Sequence, residues 1–278
     1  MKWWRQLRAA ARATFHLALL AVPAFVLIRA DSGWLKAAAA AGLGIALFLL
    51  VRAAFIYIPG FDLLARIPWR GPRADARMAI TFDDGPNPVY TEQVLQLLAQ
   101  HDAKATFFMI GENVERQPAL ARAVAAAGHA VGSHTYSHQK LSRVPLATAA
   151  DEIDRGHAAL VAAGLPDQRL FRAPHGLKTF AVFRHLRRRG LRLIGWTAGV
   201  FDTDCPRGEI IARRARRFVR PGSILLLHDG KYGHDRRPMV EALADILALA
   251  RARGLRLVTV PELLGWAAVP LGGQRRAA

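Results

Sequence analysis

From about residue 76 onward, short apolar runs alternate with amphipathic stretches, and nothing else in the chain restricts its architecture as tightly. The runs fall at 78–82, 105–110, 130–133, 170–172, 191–196, 223–227 and 255–260. Helical patterns separate them at 91–100, 117–127, 146–163, 180–189, 207–218 and 238–252. Continuous apolar runs this short mark strands buried on both faces, while apolar spacings of three and four mark helices. Gly128, Gly164, Gly190 and Gly254 stand where the helices should end. Regular strand–helix alternation predicts a parallel sheet with helices outside it. Seven units point to a closed or nearly closed α/β barrel, with an open doubly wound sheet as the alternative.

The chain ahead of this region reads differently. Residues 1–13 carry Lys2, Arg5, Arg8 and Arg12 and no acid, and 13–28 hold 16 residues without a formal charge. A second apolar run, 37–61, is broken only by Arg52. At ~1.5 Å per residue the first run spans roughly 24 Å, a little short of the ~30 Å hydrocarbon core of a bilayer. Trp34 and the flanking arginines suit the interface. A cleaved signal peptide is disfavoured, because Ile28-Arg29-Ala30 makes a poor cleavage site. Two readings remain: a single anchor helix followed by an interfacial segment, or a two-helix hairpin. The hairpin is preferred, which makes 1–73 a membrane segment and 76–268 a barrel. Basic residues on both outer flanks, including Arg66, Arg70, Arg73 and Arg77, then put the N-terminus and the barrel in the cytoplasm. A single crossing would put the barrel in the periplasm.

Composition removes several classes. Apolar residues at 52 % exclude disorder, and one cysteine, Cys205, excludes a disulfide scaffold. A net charge of +18 points to an anionic partner. Residues 181–220 alone hold 11 arginines and three acids. This belt reads as a solvated helical face or as a contact for anionic lipid headgroups, each basic group there contributing about 1 kcal/mol. Nucleic acid is not expected as a partner, since no binding motif or stacking patch accompanies the charge.

The polar residues best able to do chemistry follow strands directly. Asp83 and Asp84 follow the first, His134 and His138 the third, Arg172 ends the fourth, and His228 and Asp229 follow the sixth. In a parallel barrel all these ends lie on one face. Taken alone, Asp-Asp-Gly-Pro is good turn sequence. Two imidazoles at i and i+4 can face one metal ion, and one aspartate with two histidines suits Zn²⁺ while leaving positions open. His16, His101, His129, His157, His185 and His234 read as structural or exposed.

Four stretches in order carry a resemblance: Thr81-Phe-Asp-Asp-Gly-Pro86, His134-Thr-Tyr-Ser-His138, Arg172-Ala-Pro-His-Gly176 and Leu225-Leu-Leu-His-Asp229. Supported by Lys104-Ala-Thr-Phe-Phe108 and Gly128-His129, residues 76–262 resemble the polysaccharide deacetylase family, which includes chitin and peptidoglycan deacetylases. The resemblance implies a distorted (β/α)7 barrel that performs metal-dependent N-deacylation of an amino sugar. By position it implies one divalent ion on Asp84, His134 and His138, with Zn²⁺ first and Mn²⁺, Co²⁺ or Ni²⁺ as alternatives. Asp83 would be the general base, Arg172 its orienting partner and His228 the general acid, with Pro174, His175, Asp202 and Leu226 toward the substrate. The residue chemistry agrees: amide hydrolysis needs an activated water, a polarised carbonyl and a proton for the leaving amine.

One motif departs. The family usually carries an Asp-Trp pair on the fifth loop, the tryptophan flanking the acyl methyl. Here the loop reads Trp196-Thr-Ala-Gly-Val-Phe-Asp202-Thr-Asp204-Cys205, with no tryptophan after either aspartate. Asp202, in preference to Asp204, is expected to hold Arg172. The acyl pocket would then use other groups or accept formyl instead of acetyl. His175 stands where secreted members commonly have tyrosine, and is similar to relatives that deformylate lipid-linked aminoarabinose in the inner membrane. The expected function is therefore N-deacetylation or deformylation of an amino sugar on a polyprenyl phosphate or other membrane lipid. The alternatives are a periplasmic polysaccharide N-deacetylase and, outside the enzymes, a membrane-tethered glycan-binding module.

Overall fold

Nineteen residues, Gly33–Val51, are long and apolar enough to cross a membrane and lie within helix α1 (Gly33–Tyr57). The computed structural model describes residues 32–57, 67–167, 169–230 and 234–266. The chain divides into two compact units, Met1–Phe55 and Ile56–Ala278. In the first, Trp34, Ile45, Leu47 and Phe48 are exposed. The first apolar run, 13–28, and with it the other arm of the expected hairpin, lies outside the described residues.

In the second unit, β1 (Arg77–Asp83) is the longest strand and the hub of a parallel sheet. With β2 (Thr106–Met109), β3 (Ala130–Ser133), β4 (Leu170–Phe171), β5 (Arg192–Leu193), β6 (Ala198–Gly199) and β7 (Ile224–His228), the order is β5-β4-β3-β2-β1-β7-β6. Read as a circle, neighbours in the sheet are neighbours in the chain. That is the winding of a barrel, whereas a doubly wound sheet reverses its order at an internal switch point. The two edge strands, β5 and β6, are joined by only four residues, 194–197. Such a link reaches no more than roughly 18 Å, so the sheet must curl until its edges approach. A final strand, β8 (Arg256–Leu257), pairs with the start of β1 at Arg77 and Met78, below the point where β2 takes over at Thr81. The fold is the distorted (β/α)7 barrel.

The strand expected at 191–196 is realised only as the two residues of β5. Gly195 N–H donates to the Pro68 carbonyl, and Thr197 N–H donates to that of Ile224. The backbone thus changes partners within the apolar run, and β6 begins beyond it on two small residues that carry no pattern. Helices α2 (Tyr90–Gln100), α4 (Pro118–Ala126), α5 (Leu146–Ala162), α6 (Phe180–Arg188), α7 (Gly208–Ala215) and α8 (Arg237–Ala252) fall close to the expected stretches. Two more, α3 (Gly111–Arg116) and α9 (Val260–Leu263), are too short to show a period.

The two-residue period of β1 decides what reaches the site. Met78, Ile80 and Phe82 join the large core beneath the helices, with Phe107, Met109, Leu225 and Leu227 from the neighbouring strands. Ala79 belongs instead to the interior cluster with Phe108 and Ile224. Thr81 and Asp83 share its face by alternation. In the β1–β7 register, Ala79 lies opposite Ile224, Thr81 opposite Leu226 and Asp83 opposite His228. Each interior column therefore rises from apolar to polar and ends on a group that can move a proton.

Candidate active site

The adjacent aspartates diverge because the chain leaves the sheet between them. Asp83 keeps the strand's inner face, while Asp84 takes a left-handed backbone, φ 75°. Asp83 Oδ1 accepts from Arg172 Nη1 at 2.8 Å, and its Oδ2 lies 3.7 Å from His134 Nε2. Asp84 Oδ1 sits 3.2 Å from His138 Nε2 and 3.6 Å from His134 Nε2, buried and without a hydrogen-bond partner. Close packing fixes the turn. A Cβ on Gly230 would fall 2.0 Å from the Asp84 carbonyl, and one on Gly85 2.6 Å from an Asp229 oxygen. Asn113 Nδ2, from α3, donates to the Asp84 carbonyl at 2.8 Å.

His134 follows β3. Its Nδ1 donates to the Arg172 carbonyl at 2.8 Å, which turns the Nε2 lone pair toward the carboxylates. Burial, with His138 adding and Asp84 opposing, holds the imidazole well below its usual pKa, so it is neutral and available as a ligand. Left-handed Thr135 and His138 make the His-Thr-Tyr-Ser-His segment a tight loop and not a helix. Glu152 of α5 is buried beneath it and accepts from Ser137 N at 2.9 Å and Ser137 Oγ at 2.7 Å.

The ligand atoms of Asp84, His134 and His138 all lie within 4.8 Å of one another. This set fits a divalent cation on its own chemistry. It joins one carboxylate to two imidazoles, one of them held in the ligating tautomer by a backbone acceptor, and it leaves a buried carboxylate oxygen that nothing else satisfies.

Arg172 is wholly buried. Besides Asp83, it donates to Thr81 Oγ1 at 2.6 Å and to the Gly195 carbonyl at 3.0 Å, and it lies 4.1 Å from the centre of the Phe108 ring. Burial pulls its pKa down and Asp83 pulls it back. A guanidinium stays charged in either case, so the pair is a buried ion pair with its donors satisfied.

Asp202 holds His228 and not Arg172, contrary to the expectation from the sequence. Its Oδ2 accepts from His228 N at 2.8 Å and its Oδ1 from His228 Nδ1 at 3.0 Å. The cause is register. β6 pairs with β7, so the residues just past β6 arrive at the end of β7, while Arg172 is already saturated by Asp83, Thr81 and main-chain carbonyls. Burial works to lower the His228 pKa but is outweighed by the charge and hydrogen bond of Asp202. With Asp84 and Asp83 adding, the imidazole is pushed up to about 9. Its side chain remains 21 % exposed. Asp204 is exposed beyond the turn.

Pro174 is buried and His175 exposed on a left-handed turn, its ring centre 4.8 Å from that of His138. Leu226 lies on the inner face opposite Gly199. The space beside Gly199 is bounded by Leu226 Cδ2 and Trp196 Nε1, each 3.7 Å from the point a Cβ would occupy. A tryptophan thus reaches this region from ahead of the aspartate. Thr81, Asn113, Glu152 and Trp196 carry no role that the sequence spacing assigns. Thr81 was within reach, since it shares a strand face with Asp83. Asp229, noted only by position, is fully buried, accepts from Thr91 Oγ1 at 2.6 Å, and is pushed up to about 7 by burial. Among the other histidines, His129 accepts from Ala105 N inside the fold, and His157 and His185 pair with Asp167 and Asp154 away from the site.

Residues 70–194 match the family model for polysaccharide deacetylase. A peptidoglycan-N-acetylglucosamine deacetylase of Bacillus cereus is 40 % identical over 200 residues, 71 % of this chain and 92 % of that protein. A chitooligosaccharide deacetylase of Bradyrhizobium is 37 % identical over 66 % of this chain and 89 % of its own. Among solved structures, a peptidoglycan N-acetylglucosamine deacetylase bound to an N-oxidanyl-benzamide superposes with a TM-score of 0.68 at 29 % identity, over 72 % of this chain and 92 % of that one.

Proposed function

The chain belongs to the polysaccharide deacetylase family, and from that premise we propose that it removes acetyl groups from N-acetylated amino sugars within an oligomeric or polymeric glycan of peptidoglycan or chitin type. It is an enzyme of amide bonds on sugars, as its relatives are. The observation that carries the site assignment is the buried Asp84 oxygen, unpartnered between two histidines, beside an aspartate that Arg172 holds apart.

Asp84, His134 and His138 would hold one divalent cation, Zn²⁺ first. Such a cation, when bound, lowers the pKa of water and stabilises an oxyanion. Asp83 takes the proton of the attacking water through Oδ2, while Arg172 occupies Oδ1 and fixes its direction. His228, charged through Asp202, gives a proton to the departing amine. Trp196 and Leu226 would form the walls for the acyl methyl, which favours acetyl over formyl. His175 and Pro174 would border the sugar.

α1 is the proposed membrane anchor, with the barrel, 76–268, as the catalytic domain. A peptidoglycan-type substrate lies outside the cytoplasmic membrane, so this reading places the barrel there, in place of the cytoplasmic orientation that a hairpin would give. A lipid-linked amino sugar is the second reading, favoured by His175 and by the arginine belt.

The test is acetate release by the full-length protein in detergent with Zn²⁺, from N-acetylglucosamine oligomers, from peptidoglycan and from a polyprenyl-linked N-acyl sugar. Release from the first two supports the proposal. Release only from the lipid-linked sugar moves the function to the second reading, and release from none rejects it.

A further inference from the structure

Phe201 is the most exposed large apolar side chain among the described residues, at 73 %. It lies two residues past the end of β6, and in a parallel barrel the strand ends that lead to Asp83, His228 and Phe201 share one mouth. The next residue, Asp202, turns inward to His228. Phe201 itself has a left-handed backbone, φ 55° and ψ 44°, which is costly for a bulky side chain. That conformation sends the two neighbours in opposite directions, the carboxylate in and the ring out. The loop is also pinned from behind: Arg214 of α7 donates through Nη1 to the carbonyls of Val200 at 3.2 Å and Phe201 at 3.3 Å.

An apolar ring held in water on a fixed loop is prepared for a flat, partly apolar partner, because little ordering remains to be done on binding. The C–H face of a pyranose is such a partner. A sugar that presents its 2-amine to His228 continues into further sugars, and these must cross the rim of the mouth. We propose that Phe201 is a stacking platform for a sugar unit flanking the one that reacts, and so a determinant of chain-length preference. This rests on the reading of the chain as a deacetylase of oligomeric glycans.

The experiment compares kcat/KM for N-acetylglucosamine oligomers from dimer to pentamer in the full-length protein, in Phe201→Ala, in Phe201→Trp, and in Val161→Ala as an exposed control near the far end of α5. The pentamer-to-dimer ratio should fall about five- to tenfold in Phe201→Ala, through KM, as for loss of one aromatic contact. It should be kept in Phe201→Trp and in Val161→Ala. An unchanged ratio in Phe201→Ala overturns the proposal. So does an equal loss at every length accompanied by a shifted alkaline pH limb, because the residue then acts by supporting Asp202. A wild-type protein that releases no acetate at any length overturns the functional reading and this subsite with it.

Discussion

The two sides of the mouth use the same device in opposite senses. On one side, the buried guanidinium of Arg172 holds the Asp83 carboxylate; on the other, the Asp202 carboxylate raises the His228 imidazole to about 9. Each potential proton carrier is paired with an opposite charge: the guanidinium fixes the direction of the base, and the carboxylate keeps the acid protonated. The surroundings differ. The Asp83 side is fully buried and stands on the longest strand, with Thr81, Phe108 and two carbonyls around the arginine. The His228 side is a fifth exposed and takes its partner from a loop that follows a two-residue strand. The first pair is part of the core; the second is carried by a rim that also meets substrate.

The sharpest way to break this division is at the base. Asp83→Asn should lower turnover by about 10² to 10⁴, the range for losing a general base, while the protein retains one bound Zn²⁺ per chain by metal analysis. Asp84→Asn should lose metal first. If Asp83→Asn loses metal as fully as Asp84→Asn, the two carboxylates do not divide their roles as proposed.

Stability should separate the two sides next. Arg172→Met leaves a buried carboxylate without its partner, at about 3–5 kcal/mol, or on the order of 10 °C in Tm for a domain this size. Asp202→Asn keeps an acceptor for the His228 backbone and lets the imidazole go neutral, so no buried charge is left without its partner and the loss should be clearly smaller. Equal losses in thermal unfolding would mean that both pairs are core elements.

The same difference explains what could be read from the chain. The Asp83 side was legible because its residues end strands long enough to show a pattern: 78–82 and 130–133 were placed within a residue or two, and the Asp-Asp and His-x-x-x-His segments follow them directly. The structure puts Arg172 Nη1 2.8 Å from Asp83 Oδ1, the pairing that the resemblance implies. The partner of Asp202 was not legible. It depends on the pairing of Ala198–Gly199 with β7, and two small residues carry no period to announce a strand. Trp196 was hidden for a different reason: it precedes the aspartate, whereas the resembled motif has its tryptophan after it. Asn113 and Glu152 act from helices on the backbone of the site loops, and such contacts leave no spacing signature.

The smallest effect should be a shift and not a loss. His228 must be protonated to serve as the acid, so activity should fall as pH rises through its pKa, near 9 in the unliganded site. A cation bound nearby draws that limb somewhat lower. Asp202→Asn removes the charge that outweighs burial, and the imidazole should drop toward or below its ordinary ~6.5. The alkaline limb of kcat/KM should then move down by about two units, with metal content unchanged. Stability supplies a second reading of the same pair. A folded-state pKa above the unfolded value contributes stability that is fully present below pH ~6.5 and is lost as pH rises toward 9. Wild-type Tm should therefore decline across that window through this pair, and the Asp202→Asn curve should be flatter. A limb that stays in place in Asp202→Asn would remove His228 from the acid's role, whatever its distance from Asp202.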